Sequence, residues 1–157
     1  LLLTAAITFS IFGMGMGVTR PFLASRHYEC GKHLFEIKHG EDLIKIEEKK
    51  IEKAEFEYRK AIELDCLNSW YHQGLAEVYL ARYKREGYSS YLDEAIIELR
   101  EAVERMRFYA PFYANLSYLY ELKKDYRKAI LYMESAIACD RENGDYRQRI
   151  IELARKM

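Results

Sequence analysis

Four side chains near the start of the sequence are of types that bind metal ions: His27, Cys30, His33 and His39. Imidazole and thiolate groups hold zinc when three or four of them converge on one point. On a helix, residues 27 and 30 share a face, whereas residue 33 is turned well away from residue 27. No carboxylate and no CxxC pair completes the set, so the sequence predicts that no metal is bound.

The sequence also lacks the motifs that usually mark an enzyme. It contains no glycine-rich phosphate loop, no GxSxG and no HExxH. Neighbouring acids such as Glu47/Glu48 and Asp93/Glu94 lie in charged stretches, which are typical of solvated helix faces rather than catalytic pairs. His72 stands alone and is interpreted as a packed or rim side chain. We therefore expect no catalysis, no cofactor and no small-molecule substrate.

Composition restricts the elements that carry these side chains. The chain has 157 residues with 25 Lys plus Arg and 25 Asp plus Glu, so its formal net charge is zero and nucleic acid is not an expected partner. Two prolines and many helix-forming residues favour an all-α chain. Three widely spaced cysteines indicate no disulfide framework and no haem attachment. Of these, Cys66 and Cys139 are expected to be buried thiols.

The clearest pattern lies in residues 110–143, where large and small side chains recur at helical spacing on two successive helices. Such pairs let two antiparallel helices approach closely. The sites are Leu116, Ser117 and Tyr120 on the first helix, and Ala129, Met133 and Ala136 on the second. This pattern resembles a complete tetratricopeptide (TPR) repeat, a helix–turn–helix unit of about 34 residues. Arg141 departs from it, standing where the family often has proline.

Two earlier units carry the same pattern less completely. Residues 69–107 place Leu75, Ala76, Tyr79, Ala95, Leu99 and Ala102 on the repeat sites, and residues 21–66 place Ala54, Tyr58 and Ala61 there. The first unit is predicted as a helix over Pro21–Lys38, with Pro21 at its first position, and a long helix over Glu41–Asp65 after the breaker Gly40. The resemblance implies a right-handed α-solenoid of about three helix pairs, with most of the fourteen tyrosines in its core.

Caps and turns define the expected boundaries. Asn68 is predicted to cap the helix that follows it, and residues 85–90 are predicted to form a loop before a capping-box start at Ser90. Gly144 is interpreted as a stop or turn. The last helix, residues 145–157, is expected to cover the final repeat with Ile150, Leu153 and Ala154 facing inward and its basic side chains facing out.

The stretch Leu1–Thr19 carries no charge and is about long enough to cross a bilayer as a helix. A signal-peptide core is the other interpretation, but no clean A-x-A site follows it. Gly13 and Gly17 form a GxxxG pair, which permits close packing with another helix. We expect residues 1–19 to be a single-pass membrane anchor ahead of a solenoid domain, residues 20–157. The sequence leaves the side of the membrane undetermined.

The TPR resemblance implies that the protein binds other proteins or peptide segments. First helices line the concave face of such solenoids, and this implies the partner-binding residues Trp70, Gln73, Glu77, Leu80, Pro111, Ala114, Tyr118 and Glu121. The chaperone-binding branch of the family holds a peptide carboxylate with lysines, an arginine and asparagines. Only Asn115 is suggestive here, so that ligand is not expected. The leading hypothesis is a membrane-anchored scaffold or assembly subunit of a larger complex.

A structural role is the alternative. An apolar N-terminal helix followed by Pro21 and a globular head is similar to a type IV pilin-like subunit, in which Gly13 and Gly17 would pack in a filament core. Ala5 departs from that resemblance, because such pilins usually carry glutamate at the fifth mature residue.

Overall fold

The computed structural model describes residues 19–34 and 47–157, and within these ranges the regular structure is entirely helical. Each helix packs against the next along the chain. The helices are α1 (19–34), α2 (Glu48–Leu64), α3 (Ser69–Glu86), α4 (Ser89–Arg105), α5 (Ala110–Leu122), α6 (Tyr126–Cys139) and α7 (Gly144–Ala154). The contacts of α3 with α4 and of α5 with α6 are the most extensive, so these two pairs form the predicted second and third units.

The N-terminal segment falls almost wholly outside the described ranges. Of the predicted anchor only Thr19 is described, and Gly13, Gly17 and Gly40 lie outside. The anchor and filament interpretations therefore both stay predictions. None of the helices in residues 19–34 and 47–157 has the length and apolar character that crossing a bilayer requires.

The repeat sites form the core, as predicted. All of them are buried, and most pack in one cluster that runs from Ile51 in α2 to Leu153 in α7, while Ala61 packs in a smaller cluster with Ala24 and Tyr71. Ser117 occupies a small site without leaving its hydroxyl unsatisfied, because its Oγ donates a hydrogen bond to the Ala129 carbonyl oxygen at 2.7 Å. This bond ties α5 to α6.

Helix α2 packs against both α1 and α3 through Tyr58. This ring is buried and lies against two glycines, so that a Cβ added to Gly74 would be 2.4 Å from Tyr58 Cε1 and one added to Gly31 would be 3.2 Å away. Real Cβ atoms essentially never approach to the first of these distances. Glycine on α3 is therefore what lets the ring fill this junction.

Several helix boundaries differ from those predicted. Asn68 caps α3 as predicted, because its Oδ1 accepts a hydrogen bond from the Trp70 amide at 3.1 Å. Helix α3 continues to Glu86 and ends at Gly87, whose φ of 79° is the left-handed conformation that glycine adopts without strain. The predicted loop over residues 85–90 is therefore too long.

The predicted capping box at Ser90 is wrong. Helix α4 already begins at Ser89, and its N-cap position is Tyr88, which makes no side-chain capping bond. The tight turn at Gly87 brings the chain back into helix two residues earlier than the sequence pattern indicated. At the start of α1, Thr19 and Arg20 are already helical, so Pro21 is not the first helical residue.

The last helix also differs from its prediction. Gly144 begins α7 rather than stopping the chain, because Asn143 Oδ1 accepts from the Asp145 amide at 3.1 Å and caps the helix just before it. Leu153 is buried and Ile150 half-buried, as expected. Ala154 is exposed, because the helix ends at this residue and no further turn covers it.

Candidate partner-binding cleft

A cleft of about 220 Å³ separates α3 from α5. Three of the residues predicted to bind a partner line it: Glu77, Leu80 and Tyr118. Its other walls and floor are Ala76, Leu99, Asn115 and Leu119. Since a cleft with an apolar floor and a few polar groups at its rim is the usual form of a binding site, these residues are the leading candidate on the described part of the chain.

Helical spacing explains why these side chains converge. Glu77 and Leu80 are three residues apart on α3, and Asn115, Tyr118 and Leu119 lie at intervals of three and four on α5, so each group shares one face of its helix. Leu99 reaches the cleft from α4, behind the two first helices. Sequence reasoning missed this contribution because it considered only the first helix of each unit.

Glu77 is the charged group of the cleft. Its carboxylate is solvent-accessible at the mouth, yet the surrounding protein displaces much of its hydration, and this desolvation raises the pKa of Glu77 above its ordinary value of 4.5. The Gln73 side chain opposes the shift, because its Nε2 donates a hydrogen bond to Glu77 Oε1 at 2.9 Å. A partner that brings a cation or a hydrogen-bond donor would favour the ionised carboxylate.

Gln73 lies next to this cleft rather than in its lining. Among the described residues, its Oε1 is buried and has no hydrogen-bond partner, while its Nε2 holds Glu77. A buried amide oxygen without a partner is costly, about 1–3 kcal/mol. Gln73 thus positions the Glu77 carboxylate and leaves an acceptor unused on α3.

Tyr118 faces a basic side chain across the cleft. The Lys84 ammonium of α3 lies 5.6 Å from the centroid of the Tyr118 ring, within the range of a cation–π contact. This contact between α3 and α5 was not predicted from the sequence. It places one cation and one carboxylate, Glu77, on the same helix beside the cleft.

Trp70 lies at the start of α3, outside the cleft lining. Its ring is 36% exposed and stands edge-on to the rings of Tyr109, at 5.2 Å, and Phe112, at 5.5 Å. Pro111 and Ala114 are half-buried on α5, and Ala114 packs against the core. These three predicted residues therefore do not meet the cleft that contains Glu77, Leu80 and Tyr118.

Glu121, another predicted partner-binding residue, is engaged with α7. Its side chain is 12% exposed, and its two oxygens accept from Arg149 and, at 2.7 Å, from Lys156. Arg149 was expected to face solvent. Arg149 lies on α7 and Lys156 just beyond its end, and their spacing of seven residues, two turns of the longer helix predicted from the sequence, was the available signal that both face α5.

The candidate metal ligands are not assembled into a site. Within residues 19–34 and 47–157, no group of three His, Cys, Asp or Glu side chains is arranged to hold a metal ion. His27 instead pairs with Glu57, with Nδ1 and Oε2 2.5 Å apart, and His39 lies outside the described ranges.

His72 is buried, which confirms its interpretation as a packed side chain. Its Nδ1 lies 2.7 Å from Glu98 Oε2 and its Nε2 3.3 Å from the Cys66 carbonyl oxygen, so it joins α3 to α4 and to the preceding turn. The expectation of a buried thiol at Cys66 is wrong, because this residue lies in the exposed connection between α2 and α3. Cys139 is half-buried.

No family model matches the chain, and no curated protein sequence matches it significantly. Several solved structures do match the chain. The N-terminal domain of stress-induced protein-1 from C. elegans superposes with a TM-score of 0.69 at 20% identity, covering 86% of this chain and 97% of that domain. The Arabidopsis OM64 TPR domain gives 0.68 at 16% identity, covering 88% and 99%.

A third similar structure is the second TPR domain of human RPAP3 in complex with the HSP70 peptide SGPTIEEVD. It gives a TM-score of 0.67 at 17% identity and covers 86% of this chain and 98% of that one. At these identities the likeness establishes the fold. The helices described here therefore have the fold of TPR domains, as the repeat pattern predicted.

Proposed function

We propose that this protein is a membrane-anchored protein-interaction scaffold whose cleft between α3 and α5 binds a segment of another protein. The observation that carries the proposal is the cleft itself, with an apolar floor and Glu77, Asn115 and Tyr118 at its rim. Grooves of this kind accept an extended or helical segment that inserts apolar side chains. The TPR fold supports the same class of function, because the similar RPAP3 domain is in complex with a peptide.

The side chains of the cleft define the chemistry of the bound segment. Leu80, Leu99 and Leu119 offer an apolar surface for one side chain of the partner. Glu77 offers a negative charge for a lysine or arginine, and the Asn115 amide can both donate to and accept from a peptide group. We therefore propose a segment with an apolar anchor next to a basic residue.

This ligand differs from the acidic peptide of the RPAP3 complex, SGPTIEEVD. A carboxylate brought towards Glu77 would meet a like charge in a partly desolvated cleft, which disfavours binding. The Lys84 ammonium, the cation beside the cleft described above, is already directed at the Tyr118 ring. The cleft thus favours a basic segment over an acidic one.

Peptide selection tests this proposal. A random peptide library would be selected against the full chain, unaltered and as Glu77→Lys, with Glu94→Lys on the exposed side of α4 as the matched control. We expect sequences that combine a large apolar residue with a basic one, and loss of those sequences with Glu77→Lys but not with Glu94→Lys. Selection of acidic C-terminal peptides, or equal binding by all three chains, would overturn the proposal.

The membrane anchor is a separate part of the proposal and rests on the uncharged stretch Leu1–Thr19. Anchoring would confine the cleft to the membrane surface, so that a partner already held there is bound as if intramolecularly. Deletion of residues 1–19 is expected to release the domain from the membrane fraction without changing its affinity for the selected peptide. Retention in the membrane fraction after the deletion would contradict the anchor.

A further inference from the structure

We propose that one edge of the helical stack lies against the lipid bilayer, with Leu67 and Phe108 inserted among the lipid headgroups and upper acyl chains. This edge, here termed the proximal edge, consists of the start of α1 and the connections 65–68 and 106–109. The inference rests on the membrane anchor proposed above, and it goes further by assigning an orientation and a second contact with lipid.

Contacts between α1 and α2 show where the N-terminal segment joins the stack. Ala24 packs with Ala61 and Tyr71, and His27 pairs with Glu57. Residues that come later in α1 thus meet residues that come earlier in α2, so the two helices are antiparallel. The start of α1, where the uncharged segment enters, therefore lies beside the end of α2 and the connection 65–68.

The next connections along the stack lie at the same edge. Arg105 Nε at the end of α4 donates to the Cys66 carbonyl oxygen at 2.5 Å, which places the connection 106–109 beside 65–68. The edge-on contact of Tyr109 with Trp70, which follows the connection 65–68, also places these two connections side by side. The thiol of Cys139 at the end of α6 lies 3.6 Å from the Arg107 carbonyl oxygen, which extends the edge by one more helix pair.

Large apolar side chains project from this edge into solvent. Phe22 near the start of α1 is 66% exposed, Leu67 is 76% exposed and Phe108 is 89% exposed. Trp70 and Tyr109 lie directly behind the two connections. Aromatic and apolar residues aligned at one level are typical of a membrane–water interface, where such rings accumulate.

The opposite edge has a different character over the described residues. Its connections are 87–88 and 123–125, and they carry Gly87, Tyr88, Lys123, Lys124 and Asp125. Of these, Tyr88 is a large apolar side chain that is exposed, and the exposed Met157 lies beside the connection 123–125. The contrast between the two edges coincides with the side from which the uncharged segment Leu1–Val18 enters the fold.

Lipid is the occupant that these positions favour. A membrane-inserted segment that ends at Val18 would hold the proximal edge within a few residues of the bilayer surface. The exposed charges of the edge are of both signs: Arg20, Arg107 and Arg141 are basic, Glu104 and Glu142 are acidic, and Arg107 pairs with Glu104. Insertion of apolar side chains, rather than attraction to anionic lipid, is therefore the proposed source of the contact.

Site-directed spin labelling of the full chain in phosphatidylcholine vesicles tests this orientation. Single cysteines would replace Leu67, Phe108 and, as the matched control on the opposite edge, Tyr88. In the background chain, serine would replace the native cysteines Cys30, Cys66 and Cys139. The melting transition of this background would first be compared with that of the unaltered chain, and the two must agree. We expect nitroxides at 67 and 108 to show a several-fold higher ratio of oxygen to nickel-chelate accessibility than the nitroxide at 88.

Three other outcomes overturn the inference in distinguishable ways. A chain that does not enter the vesicles removes the anchor and the edge contact together. A chain that enters, but whose labels at 67, 108 and 88 are equally accessible to the nickel chelate, leaves the anchor standing and removes the edge contact. Labels at 67 and 108 shielded from both reagents would show that protein rather than lipid covers the edge. Vesicles with added phosphatidylglycerol should give the same accessibilities, because the contact is apolar.

Discussion

Two successive junctions of the stack occupy equivalent positions but differ in how completely they are filled. The repeat sites Leu75, Ala76 and Tyr79 recur at Leu116, Ser117 and Tyr120, an offset that also relates Gly74 to Asn115 and Tyr58 to Leu99. At the first junction the Tyr58 ring lies against Gly74 with no space left for a Cβ. At the second, Leu99 and Asn115 both line the cleft.

The comparison shows how one repeat pattern gives either a closed core or a binding site. Where the second helix of one unit carries a large ring and the first helix of the next unit carries a glycine, the ring fills the space between them, as at Tyr58 and Gly74. A leucine and an asparagine in the same places leave a cleft with an apolar floor and a polar rim.

The largest expected effect is loss of the Tyr58 ring. Tyr58→Ala should lower the free energy of unfolding by about 3–5 kcal/mol, because it empties a buried junction shared by three helices. Leu99→Ala should cost only about 2 kcal/mol, near the lower end for leucine, because the cleft beside it is already open to water. Denaturant unfolding of both variants checks this, and equal losses would contradict the distinction between closed and open junctions.

Adding one methyl group to the closed junction should also destabilise the fold. Gly74→Ala brings a Cβ against the buried Tyr58 ring, at a cost of about 3 kcal/mol, and recovers about 1 kcal/mol from helix propensity. The expected net loss is about 2 kcal/mol in thermal or denaturant unfolding.

Gly144→Ala is the matched control for this substitution, because no atom lies within 4 Å of its added Cβ. It should be neutral or slightly stabilising. Combining Gly74→Ala with Tyr58→Leu should recover part of the loss, and a Gly74→Ala chain as stable as the unaltered one would show that the junction can yield.

Exchange of the pair should convert the open junction into a closed one. Leu99→Tyr alone should crowd Asn115 and cost about 1–3 kcal/mol, and Asn115→Gly in the same chain should recover most of that cost. The double variant should bind the selected peptide at least about tenfold more weakly, a change of about 1.4 kcal/mol. Calorimetry of the two single variants and the double variant measures both effects. Undiminished peptide binding by a stable double variant would place the binding site elsewhere.

The smallest expected effect concerns the pH dependence that Glu77 confers. Because desolvation raises its pKa in the folded state above 4.5, the folded chain holds this proton to higher pH than the unfolded chain does. The contribution of Glu77 to stability is therefore fully present below about pH 4.5 and is lost as pH rises through the folded-state pKa.

Glu77→Gln should thus gain stability relative to the unaltered chain between pH 4 and pH 7. Thermal unfolding at the two pH values measures the gain. Glu94→Gln on the exposed side of α4 serves as the control and should show no such change. A pH dependence that is the same in all three chains would remove Glu77 as its source.

The sequence predicted those features that depend on local periodicity. The buried sites of α3 to α6 followed from large and small residues at helical spacing, and the cap at Asn68 followed from its residue type and place. These patterns are set within one or two helices, so they can be read from the chain. The resemblance to TPR repeats, rather than periodicity alone, implied that Glu77, Leu80 and Tyr118 lie on the partner-binding face, and all three line the cleft.

Features that depend on contacts between distant helices were not predicted. Leu99 enters the cleft from α4, and Glu121 is held by Arg149 and Lys156, which are far along the chain. The Tyr58–Gly74 contact depends on the distance between two helix axes, which residue spacing does not specify. Exposure of Cys66 depends on where α2 ends, and helix ends are the least constrained part of a periodic pattern.

The position of Trp70 makes the separation of α3 and α5 optically measurable. It is the single tryptophan beside fourteen tyrosines, and its ring belongs to α3. Of the two rings edge-on to it, Tyr109 directly precedes α5 and Phe112 lies in its first turn. A segment that spreads the cleft would separate these rings and shift the emission spectrum of the indole. Fluorescence excited in the indole band therefore reports the separation of α3 from α5.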